Sequence, residues 1–247
     1  MVRLLLNMWK NNIHFILINP SEPGNIGAAA RAIKNMGFGN LSLVDPPDLM
    51  TAEARWMARN AADVLESSTV YTSLNDALKD KSIIIGTSRR TGRTRGLIRT
   101  LRECSADISK KADKNKVAIL FGREDRGLLN EEVEQCGYLV TIPTHTAQPS
   151  INLAQSVLLV AYELAQSEPS GTNAERLLEQ GEIQPVYDRI EHVLKLLGYL
   201  ARGDRDMDDR IVKNVRHIIS RAGLTDWELN MIYGICTQIE NAAGKKN

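Results

Sequence analysis

Along the first two thirds of the chain, short, predominantly apolar runs alternate with longer stretches of helical character. Residues 13–18, 41–44 and 82–86 are such runs, and two more flank the segment FGREDRG, opening at Val117 and again near Tyr138. Continuous rather than alternating apolarity is the pattern of strands buried on both faces. Residues 69–71 read as a further short strand. Between the runs lie an Ala-rich stretch stopped by Gly37 and Gly39, a helical segment at 51–62, a short helix at 73–79 capped by Ser73, and a long apolar helix ending at Leu164. Strands alternating with helices at this spacing predict an α/β fold with a parallel sheet covered on both sides.

The pattern changes after residue 168. Residues 169–185 mix Pro, Ser, Gly, Asn and Gln without periodicity and read as a linker. Three helical patterns follow at 186–200, 208–222 and 226–242, the last opening on Thr225 and Glu228 with capping-box spacing. The expected organisation is a domain over 1–168, a linker, and a small all-helical extension over 186–247.

Polar residues concentrate where strands end. Asn25 and Arg31 follow the first strand; Thr87, Ser88 and Arg89 follow the run at 82–86; Gly122, Arg123 and Glu124 follow the run from Val117; Ile142, Pro149, Ser150, Ile151 and Asn152 follow the next. In a parallel sheet these loops share the carboxyl edge, where open α/β sheets bind ligands. Each residue also has a local reading. Glu124 suits a helix start, Ser150 a cap, Asn152 a loop hydrogen bond, and Gly122 a strand-end turn. Small residues around Gly27 let another backbone or a ligand approach closely.

Charge adds one feature. The chain has 31 Lys and Arg against 30 Asp and Glu, a formal net charge of +1, so only local clusters can argue for nucleic acid. Residues 89–102 hold six arginines, among them Arg90, Arg93, Arg95 and Arg99, and no acid. Emerging at the same sheet edge, this loop reads as a polyanion-binding surface. Lys213 and Arg216, in the second helix of the extension, would form a second phosphate-contacting face, or a solvated one.

Several chemistries are disfavoured. Gly24 and Gly27 follow a strand, but Glu22 stands where a dinucleotide fingerprint needs glycine, and Asn19, Pro20 and Ser21 intervene. No phosphate-binding loop, nucleophile elbow or H-E-x-x-H occurs, and four scattered histidines argue against a metal site. Cys104, Cys136 and Cys236 fit reduced thiols. The start is broken by Lys10, Asn11 and Asn12 and is too short to span a membrane. The chain reads as cytoplasmic, with Met8 as an alternative first residue.

Together the loops form a recognisable set. N-x-G-A-x-x-R (Asn25, Gly27, Arg31), F-G-R-E-x-x-G-L (Phe121 to Leu128), and Ile142-Pro143 followed by S-x-N-L-A-x-S-V (Ser150 to Val157) resemble the SpoU/TrmH family of RNA ribose 2′-O-methyltransferases. GTSRR at 86–90 and the helical tail resemble a bacterial branch acting on tRNA cytidine or uridine at the start of the anticodon loop. The resemblance implies a SPOUT fold with a C-terminal trefoil knot, S-adenosylmethionine as cofactor, tRNA as partner, and a homodimer to which the apolar run 157–161 contributes. It implies Thr87, Ser88, Arg89, Gly122, Ile142, Pro149, Ser150 and Ile151 as the cofactor loops, with Gly122 leaving room for the ligand. Arg31, Asn25, Glu124, Ser150 and Asn152 form the implied catalytic set, Glu124 orienting Arg31 or taking the proton. Another tRNA position, ribosomal RNA, or a non-catalytic RNA binder are the alternatives.

Overall fold

A computed structural model describes residues 8–49, 51–90, 97–167, 174–199 and 205–244, with backbone alone for 205–210. Seven strands appear among them: β1 Ile13–Ile18, β2 Asn40–Val44, β3 Thr69–Tyr71, β4 Ile83–Thr87, β5 Ile98–Thr100, β6 Val117–Phe121 and β7 Tyr138–Thr141. They form one sheet in the order β3-β2-β1-β6-β4-β7-β5, every pairing parallel. The α/β expectation therefore holds.

Burial explains the strand composition. Ile13, Phe15 and Leu17 enter one core with α1 (Pro23–Asn35), α2 (Ala52–Ala58), α3 (Ala62–Glu66), α5 (Leu101–Lys111) and α7 (Leu153–Ala165). Ile16 and Ile18 enter a second core on the opposite face, with α4 (Leu74–Leu78) and Val133 of α6 (Asn130–Val133). Alternate residues of one strand thus meet two apolar layers, so β1 is apolar apart from the half-buried His14. Ser73 caps α4 through the Asp76 amide, at 3.2 Å.

Two expectations change. The arginine-rich stretch is not a loop throughout: Ile98–Thr100 is the edge strand β5, and Thr100 and Glu103 form a capping box that starts α5. The helical segment at 51–62 breaks at Arg59, whose φ is 49°, and resumes as α3.

The extension consists of α8 (Gln180–Leu196), α9 (Arg205–Ala222) and α10 (Asp226–Gly244). Helix α8 begins inside the stretch read as a linker, carrying Pro185 within it. Residues before it are fastened to the sheet. Asn115 Nδ2 donates to the Glu175 carbonyl at 2.9 Å, the Leu177 amide donates to Asn115 Oδ1 at 2.7 Å, and the Gln180 amide donates to the Lys81 carbonyl at 2.9 Å. A Cβ on Gly137 would overlap the Ser220 carbonyl of α9. Lys81, Asn115 and Gly137 all precede their strands, so the extension sits on the amino edge of the sheet, opposite the polar loops.

Candidate active site

The carboxyl ends of β4, β6 and β7 are tied side by side before any loop begins. Thr87 Oγ1 donates to the Leu120 carbonyl at 2.8 Å, and the Ser88 amide donates to the Val140 carbonyl at 3.0 Å. The loop after β6 then folds back on itself, with the Gly127 amide donating to the Arg123 carbonyl at 2.8 Å and Gly127 at φ 64°. A Cβ on Gly122 would overlap the Gly127 and Leu128 backbone. Glycine at 122 is therefore required by the loop's own return, the strand-end reading, rather than first by room for a ligand. Gly27 has the same kind of reason: its Cβ would overlap the Ala54 carbonyl of α2.

These loops enclose one cleft. Thr87, Ser88, Arg89, Gly122, Ile142, Pro149, Ser150 and Ile151 all line it, beside Phe121, Val140 and Leu153. Its wall combines apolar side chains with hydroxyls and loop backbone, Arg89, Arg90, Arg123, Arg126, Glu124 and Asp125 add charge of both signs, and no G-x-x-x-x-G-K-[ST] phosphate loop is present. An apolar wall with hydroxyls and charges of both signs suits a nucleoside joined to a zwitterionic amino acid.

A chain of hydrogen bonds borders the cleft and joins the three sequence motifs. Asn152 Oδ1 caps α7, accepting from the Ala154 amide at 2.9 Å and the Gln155 amide at 3.3 Å. With that oxygen committed, Asn152 Nδ2 donates to Asn25 Oδ1 at 2.9 Å. Asn25 Nδ2 in turn donates to Glu124 Oε1 at 3.0 Å, while the amide and hydroxyl of Ser21 both donate to Glu124 Oε2 at 3.0 Å. Partial burial alone would raise the Glu124 carboxyl, but the bonds from Asn25 and Ser21 outweigh it and hold its pKa below the ordinary value. Glu124 is thus an ionised acceptor already serving three donors, which suits positioning better than proton abstraction.

Arg31 is exposed on α1 and makes no hydrogen bond or ion pair among the described residues. Glu124 does not hold it, contrary to expectation. Ser150 is exposed at the cleft, and the cap falls to Asn152 instead. Ser21 and Asn19 were missed in the sequence as participants, and Arg123 was named only as a loop residue. Ser21 anchors Glu124, and Arg123 donates to Glu132 at 2.8 Å and to the side chain of Asn19, stitching the β6 loop to α6 and to the end of β1. The only signal for Ser21 and Asn19 was their position in a loop of turn formers.

The basic candidates separate. Arg89 and Arg90 are exposed at the cleft rim. Arg93 and Arg95 lie outside the described residues. Arg99 sits half-buried on β5, its guanidinium 3.5 Å from the Glu103 carbonyl. Lys213 pairs with Glu134 at 2.9 Å, and Arg216 lies 4.7 Å over the Tyr187 ring. Both are engaged where the extension meets the sheet domain, away from the cleft. Among the described residues no group of three or more His, Cys, Asp or Glu could hold a metal ion, and no helix is long and apolar enough to cross a membrane.

A model of the SpoU rRNA Methylase family matches residues 12–162. The tRNA (cytidine/uridine/adenosine-2′-O-)-methyltransferase TrmJ of Pseudomonas aeruginosa is 34% identical over 249 residues, covering 94% of this chain and 95% of its own. The tRNA (cytidine/uridine-2′-O-)-methyltransferase TrmJ of Sodalis glossinidius is 32% identical over 238 residues, covering 94% and 92%. The crystal structure of TrmJ from Z. mobilis superimposes with a TM-score of 0.77 at 28% identity, over 92% of this chain and 98% of that one.

Proposed function

Because the chain belongs to the SpoU rRNA Methylase family, we propose that it is an S-adenosylmethionine-dependent 2′-O-methyltransferase of tRNA ribose, acting on cytidine or uridine at the start of the anticodon loop. The observation that carries this reading is the hydrogen-bonded chain Asn152–Asn25–Glu124–Ser21, which joins all three family motifs beside one cleft.

When bound, S-adenosylmethionine supplies an electrophilic methyl group. The eight cleft residues would hold it: Ile142, Pro149 and Ile151 as an apolar wall, Gly122 and the 87–89 loop through backbone, Ser150 through its hydroxyl. Alignment of the attacking oxygen with the methyl carbon supplies much of the rate, and the Asn25–Asn152 bridge keeps the α1 and α7 starts at fixed separation. A guanidinium keeps its proton at neutral pH, so Arg31 serves as a fork for the phosphate beside the target ribose and for charge developing on the oxygen. With no hydrogen bond or ion pair among the described residues, it is available for that. Arg89 and Arg90, and Arg93, Arg95 and Arg99 beyond them, extend the RNA contact. Lys213 and Arg216 would join it only on leaving Glu134 and Tyr187.

The reading includes the family's trefoil knot, an extension that enlarges the tRNA footprint, and a homodimer. For the dimer, the run 157–161 divides: Val157, Val160 and Ala161 are core, whereas Leu158, Leu159 and Tyr162 are 38%, 40% and 50% exposed on one stretch of α7. An apolar surface of this kind on a helix beside the cleft suits a second copy.

The test is transfer of labelled methyl from S-adenosylmethionine to unmodified tRNA transcripts with nucleoside mapping. A 2′-O-methylated pyrimidine at the start of the anticodon loop, lost in Arg31→Ala, supports the reading. Transfer to ribosomal RNA alone, or to none, rejects it.

A further inference from the structure

Helix α2 and the turn after it carry an unusual group of side chains. Trp56 is 62% exposed, a large indole on a surface where single small apolar residues are the norm. Arg59 lies over that indole, its guanidinium carbon 4.9 Å from the ring centroid. To reach this position the backbone at Arg59 adopts φ 49° and ψ −121°, a sparsely populated conformation for a residue with a Cβ. The neighbouring Arg55 is exposed, and neither Arg55 nor Arg59 has an ion pair among the described residues.

The position of this group matters as much as its composition. Helix α2 abuts α1 so closely that Gly27 has no room for a side chain against Ala54. At the far end of α1, Lys34 donates to the Asn60 carbonyl at 2.8 Å and pairs with Asp63 at 2.7 Å. The turn holding Arg59 is therefore fastened to α1 one helical turn beyond Arg31. The acids nearby are turned elsewhere: Asp63 is held by Lys34, and Glu53 lies against Gly24. What remains is an exposed indole with one face under Arg59 and with the exposed Arg55 beside it on the same helix.

From this we infer that Trp56, Arg59 and Arg55 form a nucleobase-stacking and phosphate-gripping platform for the substrate RNA, flanking the reacting ribose on the α1–α2 side. The inference rests on the tRNA methyltransferase reading and deepens it by naming a second contact surface. Aromatic faces bind unpaired bases regardless of sequence, and arginines beside them grip the backbone. An anticodon loop offers such bases. The strained Arg59 backbone is then a structural consequence of presenting the guanidinium where the ring is.

Methyl transfer kinetics on tRNA, with cofactor affinity measured separately, test the platform. Trp56→Ala is expected to raise KM for tRNA on the order of 5- to 150-fold, the range that base–aromatic stacking spans, with kcat at saturating tRNA and S-adenosylmethionine affinity close to wild type. Trp56→Phe, which keeps a stacking face, should restore most of the loss. Arg59→Gly should raise KM for tRNA and also raise Tm, because glycine accepts the positive φ without strain; replacing a purely structural arginine would not weaken tRNA binding while stabilising the fold. Wild-type transfer to tRNA with unchanged KM in Trp56→Ala overturns the platform and leaves the function standing. Absence of wild-type transfer to any tRNA removes both.

Discussion

Glu124→Gln tests the central hydrogen-bonded chain because nothing in that chain can turn to accommodate it. Glu124 receives three bonds, two on Oε2 from Ser21 and one on Oε1 from Asn25. A glutamine has one acceptor oxygen. If that oxygen keeps the Ser21 pair, the new amide nitrogen faces Asn25 Nδ2, donor against donor. Asn25 cannot flip, since its oxygen receives Asn152, and Asn152 cannot flip, since its oxygen caps α7. One bond is lost outright and the other two lose their charge assistance, together about 1–3 kcal/mol, reduced toward the lower half of that range because the site is partly open to solvent. Urea unfolding of both proteins from pH 8 to pH 3 measures it. The Glu124 carboxyl is held below its ordinary value in the folded state, so its stabilisation is complete above the unfolded pKa, about 4.3, and disappears as pH falls through the lower folded value. The wild-type advantage should be level above about pH 5 and shrink in acid. Equal midpoints at pH 7, or a difference that grows on acidification, would refute the fixed-direction chain.

Three further outcomes follow from single sites. Gly122→Ala should open the β6 loop, lowering stability by about 1–3 kcal/mol as overpacking does and weakening S-adenosylmethionine binding by calorimetry. Asn152→Asp keeps the α7 cap and adds a favourable charge at a helix start, but it cannot donate to Asn25, so methyl transfer should fall while Tm holds. His14 on β1 has its pKa pushed down to about 4, first by burial and then by Lys81 and Lys116 against an opposing Asp80. Stability that it permits above pH 6.5 should therefore be lost as pH falls toward 4, by about 3 kcal/mol, and urea unfolding of His14→Gln should show a flatter slope across that interval.

The strands buried on both faces were legible because their requirement is simple: β1 and β6 have almost no solvent side, and apart from His14 their sequences are apolar throughout. Strand β5 was not, since Ile98–Thr100 is three half-buried residues at a sheet edge inside a run of arginines. The cleft residues were recoverable from their motifs and strand-end positions. The bonds among them were not, because whether Glu124 meets Arg31 or Asn25 depends on side-chain directions that spacing leaves open. Docking of the extension was equally invisible, resting as it does on backbone groups of Lys81, Glu175 and Leu177 and the absence of a side chain at Gly137.

The strand order has a consequence for how the protein is made. Strand β1 is paired with β6, Ile13 opposite Val117, so a chain emerging from the ribosome at roughly 5–20 residues per second leaves one edge of the largely apolar β1 unpaired for several seconds before its central partner exists. Only β2 can shelter one edge in the meantime. Nascent chains halted before Phe121 should therefore be the ones that chaperones hold, and release should coincide with the arrival of the strand that also delivers Gly122 and Glu124.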